Sequence, residues 1–231
     1  MKRKTEIISD LINRAKREIH PFTSSLGLHH SFVFNRVILD SEISNLEDSY
    51  NIKIPEDYSE FLKFIGNGGE QPLSGMFSLE KSLAIYSLDN RKALPYLSDN
   101  VFADYWYLEI DESIENVHGK PIIKDSQYCT ESYTGRNLFD DFQYNNHLKE
   151  ECYNLCKHSL VFSYLPETNL QCLVVLDGKY QDYVFYYSSR SSKLINTHMR
   201  FLDWWIGYFK HILCNRPVYE FISMDISFDN G

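Results

Sequence analysis

One stretch, Ile52 to Gly69, restricts what this chain can fold into more than any other: Ile-Lys-Ile-Pro-Glu-Asp-Tyr-Ser-Glu-Phe-Leu-Lys-Phe-Ile-Gly-Asn-Gly-Gly. Pro55 suits a first helical position, because its missing N–H would be unpaired there anyway. Glu56 and Asp57 place negative charge beside the positive end of the helix dipole. Tyr58, Phe61, Leu62 and Ile65 fall at i, i+3, i+4 and i+7, one apolar face, while Ser59, Glu60 and Lys63 point to water. Gly66 can supply a left-handed stop, and Asn67-Gly68-Gly69 continues as a turn that no helix tolerates. The spacing predicts a short helix, sharply bounded and one-sided.

Upstream, residues 2 to 19 carry Ile7, Ile8, Leu11, Ile12, Ala15 and Ile19 at helical spacing, with Lys4, Arg14, Lys16 and Arg17 opposite, and Pro21 ends the run. The basic face is either a docking surface or the solvated side of a helix packed on the body, the commoner role of such runs. Residues 22 to 40 alternate loosely around Phe32, Phe34, Val37 and Leu39, which predicts one strand. Asp40 or Ser41 caps a second helix with Ile43, Leu46 and Tyr50 inward. Past the glycine turn, Met76 to Leu79 reads as a strand and Leu83 to Tyr86 as a short element.

Residues 98 to 118 contain Asp99, Asp104, Glu109, Asp111, Glu112 and Glu115 and no Lys or Arg, interleaved with Phe102, Tyr105, Trp106, Tyr107 and Leu108. Exposed aromatics mixed with carboxylates suit a binder of a basic protein, the rings as anchors and the acids for steering. The alternative places the rings in the core and leaves the acids solvated. On the first reading the partner-binding residues are Asp99, Asp104, Tyr105, Trp106, Glu109, Asp111, Glu112 and Glu115. Gly119 to Glu151 is polar and aperiodic, an insertion or peripheral lobe.

From Ser159 the pattern changes to strands: Leu160-Val161-Phe162, a turn at Pro166 to Asn169, Leu170 to Leu176, then Tyr183 to Tyr187. Asp177-Gly178 between two β-rich runs predicts an antiparallel hairpin. A last long helix, about Thr197 to Leu213, sets Phe201, Leu202, Trp205, Phe209 and Ile212 along one side to cover the sheet, and Asn215-Arg216-Pro217 stop it. The tail, with Phe221, Ile222, Ile226 and Phe228, is expected to dock as an extended segment. The fold class is therefore α+β, an antiparallel sheet covered by helices from 41–66 and 197–213.

Ile43-Ser44-Asn45-Leu46-Glu47, then Tyr50-Asn51-Ile52, Ile54-Pro55-Glu56-Asp57-Tyr58, Phe61-Leu62 and Asn67-Gly68-Gly69, resemble in that order the SUKH superfamily, which groups the fungal Smi and Knr cell-wall regulators with many bacterial immunity proteins. Phe201-Leu202-Asp203-Trp204-Trp205 resumes the resemblance, which covers roughly half the chain. It implies a single domain over 1–231, with an N-terminal helix and extension at 2–40, a family-like core at 41–92 and 158–214, and a divergent middle at 93–157. Ile54, Pro55, Tyr58, Phe61, Leu62, Gly68, Gly69 and Trp205 are the fold determinants. The resemblance also implies a binding protein without catalysis, in bacteria a cytoplasmic antidote to a nuclease or deaminase toxin. A regulatory interaction scaffold and an enzyme with an unrecognised site are the alternatives.

Charge bears on the partner. Lys and Arg total 23 against 32 Asp and Glu, a net charge of -9, which disfavours phosphate backbones and anionic lipid and leaves a basic protein as the electrostatic complement. No apolar run reaches the roughly 18 residues that span a bilayer, and the first residues lead into an amphipathic segment, so a cytoplasmic protein with reduced thiols is expected. No cofactor or metal is expected: no nucleophile elbow, phosphate loop, dinucleotide fingerprint or zinc-protease motif is present. His29-His30 point to opposite sides of a strand, and Cys152, Cys156 and His158 lack a second cysteine pair.

Overall fold

The structure, a computed structural model, describes residues 2–19, 32–72, 75–91, 128–130, 155, 157–165, 170–188 and 193–223. The fold is α+β. Helices α1 (Lys4–Glu18), α2 (Asp40–Tyr50), α3 (Glu56–Phe64) and α4 (Leu79–Arg91) precede strands β1 (Tyr128–Thr130), β2 (Ser159–Leu165), β3 (Leu170–Val175), β4 (Tyr183–Ser188) and β5 (Lys193–Arg200), and α5 (Phe201–Leu213) and α6 (Val218–Ser223) follow. The five strands form one sheet in the order β1-β5-β4-β3-β2. β2 through β5 are antiparallel neighbours, as the hairpin signal predicts, but β1 joins β5 in parallel at the edge. That edge strand falls inside the stretch read as an insertion, and three residues of backbone pairing leave no periodic signature to read.

α5 is the centre of the core. Phe201, Leu202, Trp204, Trp205, Tyr208, Phe209 and Ile212 are buried, on more than one stripe, because the helix lies between the sheet and its neighbours α1, α3 and α6. Trp205 stacks on Phe61 of α3 with ring centroids 4.7 Å apart, and Phe162 of β2 meets Phe201 and Trp204 edge to face. Each such fully buried side chain stabilises the fold by roughly 1.5–3 kcal/mol relative to exposure. The face predicted for α3 is thus the face buried. α1 packs on α5, and Lys4 reaches Asp203 at 2.7 Å, so residues 2–19 belong to the body and not to a detachable arm.

The sheet is apolar on both sides. Leu160, Phe162, Cys172, Val174, Val184, Tyr186 and Ile195 face α5, while Val161, Leu173, Val175, Phe185, Tyr187 and Leu194 form a second buried cluster with Phe77 and Ile85. Coverage by 41–66 and 197–213 alone accounts for one face only. α2 packs on α4, and α4 on β2.

The glycine turn does more than end α3. Single bridges run from Ser163 to Met76, Met76 to Gly69 and Gly69 to Phe34, extending the sheet sideways beyond β2. A Cβ on Gly69 would sit 2.6 Å from the Val33 carbonyl oxygen, and one on Gly66 would sit 2.7 Å from both the Asn35 carbonyl oxygen and Phe34 Cβ. Gly66 is therefore required by close approach. It is not the left-handed stop: α3 ends at its C-cap Ile65, and the positive φ of the turn comes first at Gly68, at 85°.

Other boundaries also differ from the sequence expectation. Pro55 is the N-cap of α3, one position before its first helical residue. Leu39 precedes α2, and its N–H donates to Glu42 at 2.9 Å, so Glu42 does the capping in place of Asp40 or Ser41. Residues 32–39 hold one bridge and no strand, with Val37 and Leu39 exposed. Leu79 opens a helix and ends no strand, because Asn67 Oδ1 accepts its N–H at 2.7 Å. Thr197–Arg200 belong to β5, where the Thr197 hydroxyl donates to the Val184 carbonyl, and the tail around Phe221 is helical.

Candidate functional site

Asp99, Asp104, Tyr105, Trp106, Glu109, Asp111, Glu112 and Glu115 lie outside the described residues, as do His29, His30, Cys152 and Cys156. Ile54, Tyr58, Phe61, Leu62 and Trp205 meet in one core cluster, and Pro55, Gly68 and Gly69 shape the backbone beside it.

Two constellations of polar groups invite a functional reading. The first joins Asp57, Asp182 and Arg200. Asp182, at φ 70° between β3 and β4, accepts the N–H groups of Asp57 and Tyr58 at 3.1 and 3.4 Å and so caps α3 from across the molecule. Arg200 reaches Asp182 at 2.7 Å and Asp57 at 3.3 Å. Burial, and then the neighbouring Asp182 charge, raise the Asp57 carboxyl above its usual range, and Arg200 only partly offsets them. Perturbed carboxylates mark active sites, and structural ion-pair networks too. Here the contacts are to helix N–H groups and between elements, and the Phe201 N–H donates to the Asp182 carbonyl besides. The cluster fastens α3 to the start of α5.

The second is an open cleft of about 480 Å³ where the end of α2, the loop to α3, α4 and the β3–β4 loop converge. Ile52, Tyr86 and Leu176 supply apolar lining, and Glu47, Asp48, Asn51, Lys53, His158, Asp177 and Gln181 the polar part. Its volume is within the ~300–1,000 Å³ usual for ligand sites. Glu47 is buried and fully engaged, accepting from the Ile54 N–H at 2.8 Å and from Lys53 Nζ at 2.6 Å. His158 Nδ1 lies 2.9 Å from Asp177. Asp48 stands exposed in the last turn of α2, and Asn51 ends that helix in the left-handed conformation.

Known protein families, curated proteins and solved structures offer no match to this chain. The chemistry must be read from the residues themselves. Cys172 is completely buried, and desolvation raises its thiol far from the reactive range, so it serves as core packing. Among the described residues no group of three or more His, Cys, Asp or Glu could hold a metal ion, and no helix is long and apolar enough to cross a membrane. The cleft is lined mostly by polar side chains, with Ile52, Tyr86 and Leu176 as its apolar part and the C-terminus of α2 beside it. Sequence reasoning missed it because its parts come from positions 47–53, 86, 158 and 176–181. A faint signal was available, since Asp48-Ser49-Tyr50-Asn51 sets a carboxylate and a left-handed residue type together at a helix end.

Proposed function

We propose that this chain is a non-catalytic binding protein, a cytoplasmic antidote that neutralises a cognate bacterial toxin, a nuclease or deaminase, by covering its basic active-site cleft. The observation that carries the reading is that residues bearing the resemblance meet in one place. Ile54, Phe61, Leu62 and Trp205 are buried together, and Asn67, Gly68 and Gly69 form the joint between α3, α4 and the extended sheet. The apolar part of the likeness falls on core residues, while Ser44, Asn45, Asn51 and Glu56 within it are exposed. The net charge of -9 supports a basic partner, with the acidic segment 99–115 as the face that meets it.

The test is to read the neighbouring gene and, where it encodes a toxin domain, to co-express that domain with this chain. Growth is restored if the antidote reading holds, and association in vitro weakens as salt rises. Neutralising Asp104, Glu109, Asp111 and Glu112 to Asn or Gln slows association if 99–115 is the contact face. Unchanged association removes that face from the proposal, and failure to restore growth removes the antidote itself.

A further inference from the structure

We draw no further inference here: the strongest candidate, the exposed apolar surface offered by Val33, Val37 and Leu39 on the segment before α2 and by Phe64 at the end of α3, carries none because nothing in the structure shows what covers it.

Discussion

Asp182→Ala is expected to destabilise the fold by about 3 kcal/mol, and the components can be separated. Losing the acceptor for the Asp57 and Tyr58 N–H groups removes a helix cap, about 1 kcal/mol. Alanine at φ 70° adds about 1 kcal/mol of left-handed strain. The ion pair to Arg200 joins a buried carboxylate to a guanidinium 42% exposed, so solvent screening holds its contribution to about 1 kcal/mol. For a chain of this size the sum lowers Tm by about 6–12 °C. Asp182→Asn keeps an acceptor oxygen and tolerates the left-handed backbone, so only the ion-pair share, about 1 kcal/mol, is lost. Asp57→Asn behaves oppositely. Burial and the Asp182 charge raise the Asp57 carboxyl above its ordinary 3.8, so the folded state holds that proton more tightly than the unfolded chain does. The stabilisation belonging to protonated Asp57 is complete below 3.8 and disappears as pH rises through the raised folded value. Asp57→Asn therefore gains on the wild type across that window and is no less stable at pH 7. Thermal and urea unfolding from pH 3.5 to 8 measure all three variants. Equal losses for Asp182→Asn and Asp182→Ala, or an Asp57→Asn variant weakened at pH 7, would refute the separation.

Three further outcomes are accessible to the same methods. Gly66→Ala forces a Cβ to 2.7 Å from the Asn35 carbonyl oxygen and destabilises by about 1–3 kcal/mol, whereas Gly178→Ala, with open space around it, shows only the ~1 kcal/mol left-handed penalty. Asn67→Ala removes the acceptor for the Leu79 N–H and the amide donor to Glu80, and hydrogen exchange should show the first turn of α4 opening more readily by about 1–2 kcal/mol. Glu42 is held down to about 2 by the Arg36 guanidinium and the Leu39 N–H. Its depressed pKa means the stabilisation is present above the ordinary 4.5 and lost as pH falls through about 2, so wild type and Glu42→Gln converge in acid. A gap between them that persists at pH 1.5 contradicts that assignment.

α1, α3 and α5 could be read from the chain because each pairs a 3.6-residue apolar period with stop or start chemistry at its ends. β5 could not. Asn196 and Thr197 are polar and nearly fully buried, and they are tolerated because Asn196 Oδ1 accepts the His198 N–H and the Thr197 hydroxyl reaches Val184. Pattern reading takes such residues for loop. α4 was obscured for a different reason, since its start is set by Asn67, twelve positions earlier in the chain. Asp182 looks like any turn aspartate until the separation of 125 positions from Asp57 is folded away. The cleft at the end of α2 shares that difficulty: each of its segments is ordinary alone, and only tertiary closure gives them a common centre. The proposed partner face at 99–115 was legible as charge pattern, but pattern does not say which rings are outside.

The bond from Lys4 to Asp203 spans 199 residues, and α1 has its main packing partner in α5. On a ribosome adding about 5–20 residues per second, the first helix waits roughly 10–40 s for the surface it needs. During that interval its row of isoleucines is available to chaperones or to neighbouring nascent chains. Vectorial synthesis therefore leaves α1 without its main packing partner until α5 has emerged.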